Sequence, residues 1–220
     1  MKLQQFLGLH DGVASASHLA AALGALAGAW FMHRRGRGHP LRNVSMLIFS
    51  GSLLFLFATS GVYHGLPPGP ARALFRRLDY AGIWLVIAGS ATPVHTILLQ
   101  GHWRWGMTAA FWAAALTCLV IVDVYFAQIP YWGIILSYMG VASLGAVSFS
   151  RIMARYGWKE TVLLFLGCVC YGAGAAIDYL ERPALVAGWL GPHELFHLLV
   201  VAGAALHWAF VYDRAGRPEL

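Results

Sequence analysis

Charge is scarce in this chain. Asp, Glu, Lys and Arg make up only 11% of its 220 residues, against roughly a quarter in a soluble domain. That shortage excludes an ordinary water-solvated surface. With 59% of the residues hydrophobic, one soluble core of this size cannot hide them all, and lipid is the natural solvent. Cysteine is sparse too. Cys118, Cys168 and Cys170 all fall in apolar stretches, and Cys168 and Cys170 face different sides of a helix. An odd number so placed excludes a disulfide framework and fits packing residues. Acidic residues are fewer than basic ones, giving a net charge of +6. The Lys and Arg residues form no stripe, so no nucleic-acid partner is expected. They sit in short segments between apolar runs, where they anchor spans and set topology. After Lys2 no compact apolar region with a cleavage site follows, so no removable signal peptide is expected. Long linkers, sequence repeats and low-complexity tracts are also missing, and residues 1–220 read as one domain.

What is present is a series of apolar runs long enough to cross a bilayer, which takes about 20 residues each. Seven can be read, at 13–32, 44–65, 79–99, 105–124, 131–150, 161–180 and 193–212. The segments between them carry the breakers: RRGRGHP, GLPPGPARALFRR, QGHWRW, AQIP, RIMARYGWKE and ERPALVAGWLGP. Trp103, Trp105, Tyr131, Trp132, Trp158, Trp189 and Tyr212 lie near span ends, as in an aromatic belt. The expected fold is therefore an all-α membrane protein, a bundle of seven transmembrane helices. The 25 glycines and the Ala runs suit close helix packing in lipid.

Ionisable groups inside spans are costly and point to function. His18 lies near the start of the first span. Ser60 and His64 end the second, Asp79 starts the third, Asp123 ends the fourth, Asp178 ends the sixth, and His193 and His197 open the seventh. With alternating direction, all these ends fall on the N-terminal side of the bundle. The opposite side has fewer buried polar groups, chiefly His95 and His207. Ser60 and His64 are four apart and share a helix face, and so do His193 and His197. Two imidazoles at that spacing can bind one ion, and His64 adds a third nitrogen. Three protein ligands with an open position are the pattern of a catalytic zinc. A lone intramembrane His is more often a packing residue, which is the expectation for His18, His95 and His207. Asp123 reads as a charge at a helix end. Asp178 is open between that role and orienting an imidazole.

Residues 193–197 read HELFH, which also matches H-E-x-x-H, the zincin segment whose Glu is a general base. Glu194 has a plainer alternative as an acid in the first helical turn, where the helix dipole favours it.

Three segments together resemble one family. SGVYH, from Ser60 to His64, is similar to its S-x-x-x-H motif. LDYAGIWLVIAGSATP, from Leu78 to Pro93, is similar to its third-helix signature. HELFHLLVVAGAALHW, from His193 to Trp208, is similar to its H-x-x-x-H seventh helix. The family is that of the progestin and adipoQ receptors, in its bacterial hemolysin III branch. The resemblance implies a zinc held by His64, His193 and His197, with Asp79 contacting the zinc-bound water and Ser60 beside it. It also implies kinship with alkaline ceramidases and residence in a bacterial plasma membrane. The family often opens with an acid and an Asn before a first-helix Ser/Thr-His. Here Asp11 stands at the acid position and Ala14 replaces the Asn, which leaves the roles of Asp11 and His18 open.

These readings converge on a zinc-dependent hydrolase acting on a membrane lipid, with Asp79 and Ser60 as catalytic residues. The alternatives are a zinc-stapled sensor, a membrane metalloprotease and a pore. A pore needs a continuous polar face along a span, and these spans are polar at one end only. Orientation follows from charge. Lys2, Arg72, Arg76, Arg77 and Arg182 fall on the N-terminal side, and the ten other Lys and Arg residues on the opposite one. The positive-inside rule then places the C-terminus in the cytoplasm. A reporter active only in the cytoplasm should give signal when fused after Leu220. Signal from an N-terminal fusion with a silent C-terminal one would reverse the orientation.

Overall fold

The computed structural model describes residues 9–186 and 190–217. Lys2 and Trp189 lie outside the described residues. Among the described residues seven helices follow in order: α1 Gly12–Gly36, α2 Pro40–Gly65, α3 Pro70–Leu98, α4 Gly101–Val124, α5 Tyr131–Tyr156, α6 Trp158–Leu180 and α7 Pro192–Ala215. Each is long and apolar enough to cross a membrane, and the chain is an integral membrane protein. No strand occurs among the described residues; Val186 and Leu190 form one isolated bridge between α6 and α7.

The helices overrun the apolar spans, and α3 does so most. The sequence reading starts the third span at Asp79 and treats the preceding residues as a connection. In the structure α3 begins at Pro70, so ARALFRR forms its first turns. Pro is suited to the first helical position, where its missing N–H costs nothing, and Ala, Arg and Leu are strong helix formers. Pro40 and Pro192 open α2 and α7 in the same way. Arg72, Arg76 and Arg77 therefore lie on α3 and can reach inward. Pro93 sits inside α3, where it removes one backbone donor. Around it, Thr92 and Thr96 donate their hydroxyls to the carbonyls of Ala88 and Thr92, a local polar satisfaction that lipid-embedded helices need.

Sequential helices are neighbours, and α1 closes the ring onto α7. α3 also meets α5 and α7 across the interior. The burial is uneven. In their most apolar windows α2 and α3 are 61% and 67% buried, whereas α4 and α5 are each 17% buried. Small residues set the close approaches. Where α6 crosses α7, a Cβ on Gly203 would come within 3.0 Å of the Gly167 carbonyl oxygen and of the Tyr171 ring. Replacing Gly203 by Leu must spread this crossing. The expected loss is about 1–3 kcal/mol, read as a lower melting temperature in detergent, whereas the same change at Gly172, where a Cβ meets nothing within 4 Å, should leave stability nearly unchanged.

Candidate metal centre

α2 carries Ser60 and His64 one turn apart at its end, and α7 carries His193 and His197 one turn apart at its start. Because α1, α2, α3, α6 and α7 alternate in direction, these ends meet. Nε2 of His193 lies 3.0 Å from Nε2 of His197 and 3.4 Å from Nε2 of His64. One nitrogen from each ring falls within 4.8 Å of the others, so the three form a group that could hold a metal ion. Two nitrogens each about 2.05 Å from one tetrahedral ion stand roughly 3.3 Å apart, and the observed spacings bracket that value.

The other nitrogen of each ring is backed by a partner. His193 Nδ1 is 2.8 Å from Asp178 Oδ1, His64 Nδ1 is 3.3 Å from Asp11 Oδ2, and His197 Nδ1 is 2.8 Å from His18 Nε2. Ionised carboxylates only accept, so His64 and His193 donate from Nδ1, and in the neutral rings this leaves Nε2 lone pairs facing each other. Such lone pairs repel unless a cation sits among them, and the donor set therefore fits a metal. This is also how metal-binding histidines are commonly oriented.

The partners are themselves tied down. Asp178 accepts a hydrogen bond from the Tyr131 hydroxyl at the start of α5. Asp11 accepts one from Arg72 Nη2 at 2.7 Å. Its backbone N–H donates to the His64 carbonyl at 2.9 Å. Arg72 also donates to the Leu66 carbonyl and lies over the Tyr63 ring. Burial pushes the Asp11 carboxyl up, but the hydrogen bonds from His64 and Arg72 outweigh it and hold it well below its ordinary 3.8. A depressed folded-state pKa stabilises the fold above the unfolded value, and that contribution fades on acidification below about pH 4.

His64, His197 and Ser60 are buried, while the His193 side chain is 45% exposed and marks the open flank. Ser60, Asp79 and all three histidines line one end of a cavity of about 470 Å³. The buried Ser60 hydroxyl closes no hydrogen bond, although Asp79 is near enough to interact with it and with His193. Asp79 thus lies on the same end of the cavity as the three rings. Asp123 stays outside, paired with Arg77 at 3.5 Å on an exposed rim. Glu194 also points elsewhere: it accepts the Gly191 backbone N–H at 3.0 Å and caps its own helix. His95 and His207 lie at the other end of the bundle.

His18 is buried and hydrogen-bonded to His197, which ties it to the site. Tyr131 and Arg72, read as belt and loop residues, also belong to the surroundings of the site. A first-helix Ser17-His18 pair downstream of Asp11 is the one trace of this in the sequence. Nothing in a linear pattern points to Tyr131 or Arg72.

A model of the haemolysin-III-related family matches residues 10–208. The chain belongs to the haemolysin-III-related family. The Bacillus cereus protein named Hemolysin-3 is 25% identical over 175 residues, covering 80% of this chain and 77% of that protein. The Bacillus subtilis (strain 168) Hemolysin-3 homolog is 26% identical over 162 residues, covering 74% and 73%. The resemblance drawn from the three motifs thus extends over nearly the whole chain, and the matched region contains Asp11, Ser60, His64, Asp79, His193 and His197.

If the three Nε2 atoms hold an ion, His64→Ala, His193→Ala and His197→Ala should each lose it, while His95→Ala and His207→Ala keep a full equivalent. His18→Ala should bind it roughly 10–100-fold more weakly, as for loss of an orienting partner. Elemental analysis and chelator competition on the purified variants measure this. A full equivalent retained by His64→Ala would remove α2 from the site.

Proposed function

We propose that this member of the family is a zinc-dependent intramembrane hydrolase that cleaves an amide or ester bond of a membrane lipid. The reading rests on one juxtaposition: three converging imidazole nitrogens at one end of a long, mainly apolar cavity, beside an acid and a free hydroxyl.

His64, His193 and His197 would hold the zinc through Nε2. When bound, zinc lowers the pKa of a water toward about 7 and polarises a carbonyl oxygen. Asp79 takes the proton released as the nucleophile forms and returns it to the leaving group. Ser60 Oγ, with no hydrogen bond of its own, donates to the oxygen on which charge develops. Asp11, Asp178 and His18 keep the three rings turned toward the centre. The apolar walls formed by residues such as Leu56, Ile83 and Val86 accept an acyl chain and keep bulk water out. The charge asymmetry of the loops supports an outer-face position for this layer.

The zincin reading gives Glu194 the role of general base. Its hydrogen bond back to Gly191 favours helix capping instead. Changing Asp79 to Asn should lower hydrolysis of lipid amides or esters by about 10²–10⁴-fold at unchanged zinc content. Changing Glu194 to Gln should leave the rate within a few-fold. A reversed pattern would sink the hydrolase assignment in favour of a protease, and a full zinc equivalent without turnover of any lipid would make the metal a structural clasp.

A further inference from the structure

The cavity does not end at the histidine layer. It runs on to His95, Ser148, Leu164 and His207. On α7, His207 is 14 residues past His193, or about 21 Å at 1.5 Å per residue. On α3, His95 is 16 residues past Asp79, or about 24 Å. Both rings are deeply buried, at 1% and 6% exposure.

Their hydrogen bonds fix what they can still do. His207 Nε2 lies 3.1 Å from the Leu164 carbonyl oxygen. A carbonyl only accepts, so Nε2 carries the proton and Nδ1 is left as an acceptor. Ser148 directs its hydroxyl toward the Gly145 carbonyl at 3.5 Å. When that hydrogen goes to the carbonyl, His95 Nε2, 3.1 Å from Ser148 Oγ, is the donor in that pair, and its Nδ1 is an acceptor too. Neither Nδ1 has a hydrogen-bond partner, and nor does the buried Tyr171 hydroxyl, whose ring packs edge-on to His207 with centroids 5.3 Å apart. The His207 ring lies flush on α6: a Cβ at Gly167 would come within 2.2 Å of it. The position of that ring is therefore built into the helix crossing.

Bare acceptors beside an apolar cavity are costly, and a ligand that donates hydrogen bonds removes the cost. A carboxylate offers only acceptors, so it can meet the Tyr171 hydroxyl but not an imidazole Nδ1. A hydroxyl meets both, giving its one hydrogen to an imidazole nitrogen and accepting from the phenol. We propose that the far end of the cavity is a second binding subsite, and that it selects a long-chain lipid amphiphile carrying a hydroxyl at the end remote from its head group. The head group lies at the histidine layer and the chain spans the apolar stretch between. This rests on the reading of the cavity as a lipid chain site, but not on turnover.

The test is equilibrium binding to the purified, metal-loaded protein in detergent. Three probes of equal chain length are compared: palmitic acid, ω-hydroxypalmitic acid and α-hydroxypalmitic acid, the last a control of equal polarity with its hydroxyl at the wrong end. The ω-hydroxy acid should bind about tenfold more tightly than the other two. His95→Phe and His207→Phe keep a ring and remove the acceptor, and each should reduce that preference while metal content and palmitic acid affinity hold. Ser148→Ala, which frees the His95 ring proton without removing the ring, serves as a milder variant should either Phe variant fold poorly, and it too should weaken the preference. Equal affinities for all three probes in the wild-type protein, or a preference untouched by every variant, would overturn the subsite and leave the chain site standing. No measurable binding of any probe would overturn the lipid cavity itself, and the subsite with it.

Discussion

Three imidazole rings share one small volume, and much of this structure serves to hold them there. In lipid a ring nitrogen without a partner is expensive, so each Nδ1 must be met by something fixed. Asp178, Asp11 and His18 meet them. Those partners in turn need holding. Tyr131 reaches Asp178 from α5, and Arg72 reaches Asp11 from α3. A site contributed by α2 and α7 thus draws on α1, α3, α5 and α6 before every polar group is accounted for. The result is a set of lone pairs converging on one point, an arrangement that a cation relieves and that apolar packing alone would not produce.

The same economy of polar groups shapes the rest of the bundle. Hydroxyls of Ser and Thr donate to carbonyls of their own helices along α2 and α3, which keeps those faces apolar, while the buried Ser60 Oγ and His95 Nδ1 are left without such a partner. Small residues let α6 and α7 approach until Gly167 and Gly203 nearly touch. α4 and α5 are far less buried than α2 and α3, and α5 forms part of the cavity wall through Ile135, Tyr138 and Ala142. The cavity therefore lies between a tightly packed half of the bundle and a thinly packed one.

Much of the site is legible in linear form because helix geometry is periodic. Ser60 with His64, and His193 with His197, are one turn apart, so a common face follows from spacing alone. Alternation of direction brings both pairs and Asp79 to one end. What a linear pattern does not contain is the choice among several polar groups at that depth. Asp123 and Glu194 are carboxyl side chains like Asp79 and lie near the same level, yet one pairs with Arg77 on the rim and the other caps α7. His18 looks like any buried histidine until the α1–α7 contact sets it against His197. Arg72 looks like a loop charge until α3 is seen to begin at Pro70.

The sequence by itself therefore determined the solvent of this protein, the number of its spans and the polar end of its bundle. Each of these depends on hydrophobicity and on the fixed rise and turn of the α-helix, and both are local properties. Only the tertiary structure decided which ring nitrogens converge, which acids stand behind them, and that the cavity runs from the histidine layer to His95 and His207. Those depend on the rotation of each helix about its axis and on its neighbours in the ring. That rotation is set by packing between residues far apart in the chain, where no local rule applies.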